Sequence, residues 1–415
     1  IPTDQIKDNL IFEEQTDING NPYIIARFRF DPDPNQQGET LENPVLFIWD
    51  KEGGWKNGLN PGELGIKNGI LFGSMITGWY VKDPGYMGQK YMNIPIKKFG
   101  MITSPDILWI TGIEGGKYDL RQGPDQFNFE IPDYILNYPI RNNAPIQLMH
   151  VLWGDENTIP NWVKKINSKD VFFSTIDKHI ITLLSHYKGR IDTYSLLNEY
   201  FGNPFNHDPK LAFWHEKVNA LGITDEEFVT HIFKTAKEAD PNARLVFNDY
   251  GMEIPGTTTY SGQKDQKNFQ LLQDALKNGA PIDVVGFQMH LYAKDFLGDN
   301  FQKTMESFRV QVNKYQSLGV DIDLTELDIR LNEGLSNLSN EEKLNLQARI
   351  YEGIIKIAKE EGITHITVWG VSDRDSWLKK PNVGGPNASE TNPLLFDDSD
   401  NIKPALLGVL NGLLK

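Results

Sequence analysis

Residues 321–330 read DIDLTELDIR, with Ile322, Leu324, Leu327 and Ile329 set around a Thr-Glu pair. A short apolar run bounded by polar residues is the pattern of a strand enclosed within a sheet. In such a strand an unpaired carboxylate is costly, and it often takes up a proton instead. Glu326 therefore needs a reason. Either a cation such as Arg330 or Lys403 neutralises it, or the strand ends at a site where a carboxylate is wanted.

Runs of the same kind recur along the chain. They are ILFGSM (70–75), KFGMIT (98–103), PIQLMHVLW (145–153), IDTYSLLNE (191–199), ARLVFND (243–249), IDVVGFQMH (282–290), VDIDLTELD (320–328) and HITVWGV (365–371). Helical patterns lie between them. TDEEFVTHIFKTAKEAD (224–240) opens with Thr224 as an N-cap and Glu227 three residues on, the spacing of a capping box. SNEEKLNLQARIYEGIIKIAKEEG (339–362) carries Leu344, Ile350, Ile354, Ile355 and Ala358 at helical spacing, with Gly362 as its stop. Eight strand-helix pairs over roughly 350 residues fit an α/β fold of the (β/α)8 TIM-barrel type with long loops. The first 62 residues differ: YIIARFRF and PVLFIWD read as strands around the turn-rich DPDPNQQGETLEN, with no helix pattern following. The expected division is an N-terminal extension of strand character over 1–62, packed on the barrel or forming a small subdomain, and a catalytic barrel over 63–415.

Composition narrows the partners. The 415 residues are 39% hydrophobic and 23% charged, enough for a sizeable core. A net charge of −15 without any long run of Lys or Arg argues against a nucleic-acid partner. No apolar stretch approaches the ~18 residues of a membrane span, so no membrane association is expected. The chain begins IPTDQIKDNL, without a basic and then apolar leader, so any export signal is expected to be absent or already removed. The absence of cysteine rules out disulfides and thiol catalysis and fits either a cytosolic or an exported protein. Aromatic residues make up 11% of the chain, rings that suit stacking on sugars or filling a large core. Asp31-Pro-Asp33-Pro-Asn35 starts like a calcium loop, but Gln36 stands where the turn glycine belongs, so no metal is expected and no cofactor either.

In a barrel of this kind the chemistry lies at the C-terminal ends of the strands. The polar residues there are Asn198-Glu199 on the fourth strand, Asn248-Asp249 on the fifth, Gln288 and His290 on the sixth, and Glu326 with Asp328 on the seventh, while Trp369 ends the eighth. Gln288 and His290 share a face by the period of two. Glutamates on the fourth and seventh strands stand across the barrel mouth, an arrangement suited to glycoside hydrolysis. One carboxylic acid protonates the leaving oxygen while a carboxylate attacks the anomeric carbon, and the retaining reaction needs the two about 5–5.5 Å apart. On that reading Glu326 is a desolvated, aimed nucleophile, and Glu199 must keep a neutral form near neutral pH to act as the acid. Asp249 and Asp328 are expected to orient their neighbours.

TYSLLNEYF, LVFNDYG, IDVVGFQMHL, DLTELDI, ITVWGVSDRDSWL and PLLFDDSDNIKPAL together resemble the signature strands of glycoside hydrolase family 10, the β-1,4-xylanase family, from about residue 63 to the C-terminus. Six motifs in order make the resemblance specific. It implies a TIM barrel that cleaves a β-1,4-linked polysaccharide or oligosaccharide, with Glu199 as acid/base and Glu326 as nucleophile. By the same resemblance Asn198 would hold the 2-hydroxyl of the sugar at the cleavage point and Gln288 and His290 would position Glu326, while Trp153, Trp369 and Trp377 would contact the sugar. A monomer, secreted or held at the cell surface, is expected.

Two segments depart from the family pattern. The second strand of the family ends in Thr-Pro-Glu-Asn followed by a Lys, where this chain has Thr103-Ser104-Pro105-Asp106-Ile107-Leu108-Trp109. On the third strand the family has a His four residues before the Trp and another just after it, and here Met149 and Gly154 take those places. His150 is one position off, so on a regular strand it would face the other way. Donors to the non-reducing side are thus lost while the catalytic set is whole. The expectation is the family's chemistry with altered glycone recognition, on xylan or another β-glycoside; a catalytically silent glycan-binding barrel is the competing class.

Overall fold

The structure is a computed structural model, and it describes residues 10–28, 45–50, 54–57, 60–75, 99, 101–104, 120–141, 143–202 and 212–414. The eight apolar runs form eight barrel strands: β1 (Leu71–Met75), β2 (Met101–Ser104), β3 (Ile146–Leu148, resumed at Leu152–Trp153), β4 (Thr193–Asn198), β5 (Arg244–Asp249), β6 (Val284–Phe287, resumed at His290–Tyr292), β7 (Asp321–Arg330) and β8 (His365–Val368). Each is parallel to the next, and β8 pairs with β1, so the sheet closes on itself. Closure leaves no sheet edge and brings every strand's C-terminal end to one mouth. The segments 105–119 and 31–36, which hold the second-strand departure and the calcium-like turn, lie outside the described residues.

The helices form because their apolar residues fall on one face and their ends are capped. In Asp225–Ala239 the buried apolar residues are Phe228, Val229, Ile232, Phe233 and Ala236. Thr224 accepts a hydrogen bond from the Glu227 amide at 3.2 Å, which is half of the expected capping box. The Glu227 carboxylate is drawn instead to Lys169, 2.8 Å away. The complete box occurs at Asn340–Glu360, between Ser339 and Glu342, and Gly362 follows that helix with φ +75°. The closing helix Pro404–Leu414 lies so close to it that a Cβ on Gly408 would stand 2.0 Å from the Ala348 carbonyl oxygen. Only glycine fits there, and the contact buries Leu406, Val409, Leu410 and Leu413, each worth about 1.5–3 kcal/mol.

Among the described residues the N-terminal extension has four antiparallel strands in sequential order, Leu10–Thr16, Pro22–Phe28, Val45–Asp50 and Gly54–Asn57, twice as many as the sequence pattern picks out. The two extra strands carry too little apolar alternation to be read alone. The sheet meets the barrel where the chain enters β1: the Ile18 amide donates to the Lys67 carbonyl at 2.9 Å, and Tyr23 is buried in the main core. That contact lies at the N-terminal ends of the barrel strands, opposite the mouth.

Candidate active site

β7 is buried along nine of its ten residues, so Glu326 is 4% exposed. Neither cation suggested by the sequence reaches it: Arg330 bonds the Tyr292 hydroxyl and Lys403 pairs with Asp373 at 2.8 Å. Its partners are the Asn248 amide, donating to Oε1 at 2.8 Å, and the His290 ring, whose Nε2 lies 3.2 Å from Oε2. Burial pushes the Glu326 carboxyl up to about 7, with the His290 cation opposing and the charge of Glu199 adding to the rise. Burial alone would make His290 less basic, but Asp328, with Oδ2 3.0 Å from Nδ1, and Glu326 together carry the imidazole up to about 10. The ring is therefore a cation clamped between two carboxylates. Trp377 donates to the same Asp328 oxygen at 2.8 Å, which joins the β8 loop to the clamp.

Glu199 follows the last residue of β4 and is half-buried, with φ +54°. A left-handed non-glycine residue is uncommon and here ends the strand while turning the side chain toward the mouth. Trp153 Nε1 donates to Oε2 at 2.8 Å and the Gln288 amide to Oε1 at 2.9 Å. The two glutamates are joined through amides. Asn248 bridges Glu326 to Asn198, whose oxygen accepts from Asn248 at 2.8 Å and from Gln288 at 3.2 Å, and Gln288 continues to Glu199. Because the same amide nitrogens serve the carboxylates, Asn198 must turn its oxygen to them and keep its NH2 for a ligand. Thr325 donates to the remaining Asn248 oxygen at 2.6 Å. Space for that pair depends on β6, where a Cβ on Gly286 would lie 2.3 Å from Asn248 Oδ1.

Both glutamate-bearing strands slip register at or just before their carboxylate. β4 carries an extra residue between Ser195 and Leu197 relative to β5, and β7 one between Leu324 and Leu327 relative to β8. Such bulges re-aim side chains at a strand end. The period-of-two argument for Gln288 and His290 is corrected in the same way. β6 breaks after Phe287, and Met289 takes φ +63°, so the two side chains reach one site around a left-handed turn rather than along a pleat.

The third strand also departs from regular alternation, because it is interrupted between Leu148 and Leu152. Met149 is fully buried with Met75 and Trp369, and Trp377 packs on the three. His150 is not turned away, as a regular strand would require: its ring centre is 5.8 Å from that of Trp153 and 6.4 Å from that of Trp369. Burial holds its imidazole down to about 3, so it is neutral. Asp249 lies outside this constellation, paired with Lys264 at 2.6 Å and bonded by Asn268, while its carbonyl accepts from the Gln288 amide. Sequence reasoning noted Asn248 at a strand end without giving it a part, although it touches both halves of the site. Its place beside Asp249, mirroring Asn198-Glu199, was the available signal. Among the described residues no group of three or more His, Asp or Glu side chains is arranged to hold a metal ion, and no helix is long and apolar enough to cross a membrane.

Comparison with known proteins agrees with this architecture. Residues 63–412 match the profile of Glycosyl hydrolase family 10. The chain is 31% identical over 300 residues to endo-1,4-beta-xylanase A of Thermoanaerobacterium saccharolyticum, covering 69% of this chain and 23% of that protein. It is 32% identical over 294 residues to exoglucanase XynX of Acetivibrio thermocellus, covering 67% and 24%. It therefore spans about a quarter of the length of either relative. The crystal structure of native xylanase 10B from Thermotoga maritima superposes with a TM-score of 0.68 at 24% identity, over 85% of this chain and 98% of that one, which shows the barrel fold. The chain belongs to glycosyl hydrolase family 10.

Proposed function

We propose that this chain is a retaining endo-β-1,4-xylanase, with Glu199 as acid/base and Glu326 as nucleophile, acting in the barrel 63–415 on a polysaccharide or oligosaccharide. The observation that carries the reading is the continuous amide bridge Glu326–Asn248–Asn198–Gln288–Glu199, which couples two carboxylates at the ends of β4 and β7. In the first step a Glu326 oxygen forms a bond to the anomeric carbon as the bond to the leaving oxygen breaks, and the proton of Glu199 goes to that oxygen. Water then attacks the same carbon, Glu199 takes its proton, and Glu326 leaves as carboxylate. The His290 cation beside Glu326 stabilises that leaving charge. The NH2 of Asn198 is the donor left for the sugar 2-hydroxyl, and Trp153, Trp369 and Trp377 supply the walls. The protein works as a secreted or cell-surface monomer in this reading.

One observation favours a substrate other than plain xylan. Met149, with Met75 and Trp369, makes an apolar wall where the family has a hydrogen-bonding histidine. The experiment is reducing-sugar release from xylan, arabinoxylan, mixed-linkage glucan, glucomannan and cellulose, each beside Glu326→Ala. Release from xylan that disappears in the variant supports the xylanase reading. Activity confined to another glycan supports the apolar-wall reading, and silence on every glycan sinks both.

The ionisation of Glu326 predicts the acid side of the pH profile. Only the carboxylate attacks, and burial has raised its pKa to about 7, so kcat/KM should fall below about pH 7, close to tenfold per unit. His290 is a cation that holds that value down. His290→Gln should therefore move the acid limb to higher pH, and a limb that stays put or moves lower would count against the assignment.

A further inference from the structure

We propose that Glu253 is a positioning residue for both halves of the site: its carboxylate holds the left-handed turn at Met289 that sends Gln288 to Glu199 and His290 to Glu326. The proposal rests on the functional reading above, since it assigns a part within that site. Glu253 lies in the loop that follows β5 and is 2% exposed. Among the described residues no cationic side chain reaches it at ion-pair distance. Its Oε2 accepts from the Met252 amide at 2.9 Å and its Oε1 from the Met289 amide at 3.2 Å. A buried carboxylate that only closed its own loop would be a costly choice, because a neutral side chain could accept the Met252 amide without losing the hydration of a charge.

The second bond explains the carboxylate. Met289 is the single residue between Gln288 and His290, and with φ +63° it adopts a conformation that a β-carbon disfavours. Its carbonyl accepts from the Asp328 amide on β7 at 3.3 Å, and the Gln288 amide donates to the Asp249 carbonyl on β5 at 3.1 Å. The turn is thus tied to β5 and β7 by backbone, and among the described residues Glu253 supplies the side-chain acceptor for its central amide, the Met289 N–H. Without it that buried amide has no partner in the turn, and an extended Met289 would swing Gln288 and His290 away from their carboxylates. Burial raises the Glu253 pKa, with its own backbone amide, the Met289 amide and the His290 cation opposing. Glu253, Glu326 and Asp328 therefore all bias the same imidazole.

The test compares wild type, Glu253→Gln and Glu253→Ala by melting temperature, by kcat and KM on whichever glycoside the wild type cleaves, and by 15N NMR of the His290 ring. Glu253→Gln keeps one oxygen for the Met289 amide, so its melting temperature should stay near wild type and its kcat and KM within about threefold. Glu253→Ala should lose about 100-fold in kcat, the scale of an ångström-level misplacement, with KM within about twofold. In Glu253→Ala the His290 ring signals should shift, because the clamp between Glu326 and Asp328 is no longer aimed. A fall in melting temperature with kcat unchanged overturns the proposal, as do His290 ring signals that superpose on those of the wild type. If the wild type cleaves no glycoside, the functional reading fails, and the ring signals still decide whether Glu253 sets the turn.

Discussion

Glu326→Ala is expected to reduce turnover by at least about four orders of magnitude, the scale on which enzymes lose rate when a covalent nucleophile is removed. The argument starts from placement. The carboxylate is 4% exposed, fixed on one oxygen by Asn248 and on the other by His290, and no Lys or Arg among the described residues pairs with it as a structural role would call for. Removing it should cost the fold little, because burial already disfavours its ionised form. Loss of activity with an unchanged melting temperature is therefore the expected pairing. The space left on that face admits azide, which should attack the anomeric carbon in place of the carboxylate and yield a glycosyl azide of inverted configuration. Retained activity in Glu326→Ala would remove Glu326 from the mechanism.

Glu199→Ala should separate substrates by their leaving groups. A polysaccharide leaves as an alkoxide unless protonated, so its hydrolysis should fall by about 10²–10⁴-fold, the usual contribution of general acid–base catalysis. An aryl glycoside with an acidic phenol needs little protonation, so its first step should persist and the covalent intermediate should accumulate. KM falls in that case together with kcat. Azide should then restore turnover by attacking the intermediate from the Glu199 side, giving a product of retained configuration. The opposite stereochemistry in the two variants is the sharpest discriminator, because it reports which face each carboxylate occupies. Equal losses on polysaccharide and activated aryl glycoside would reverse or refute the assignment of Glu199 as the acid. Trp153 and Gln288, which fix its two oxygens, should show weaker forms of the same pattern.

The sequence by itself determined the barrel and the positions of its polar strand ends. Eight apolar runs spaced by amphipathic helical segments leave few ways to bury every face, and a closed parallel sheet collects all eight C-terminal ends at one mouth. Glu199 and Glu326 were legible because a carboxylate inside an apolar run stands out against its surroundings. Only the tertiary structure decided how those side chains are aimed. The bulges in β4 and β7, the left-handed Glu199 and Met289, and the interruption of β3 that leaves His150 beside Trp153 and Trp369 all break the alternation on which strand reading depends. Local sequence does not signal them, and where the stabilising partner is seen it comes from elsewhere in the chain: Asn248 on β5 for Glu326, and Glu253 in the loop after β5 for Met289. Apolar periodicity reports which face of a strand is buried. The direction of a side chain at its end is set by hydrogen bonds to residues that the fold alone brings near.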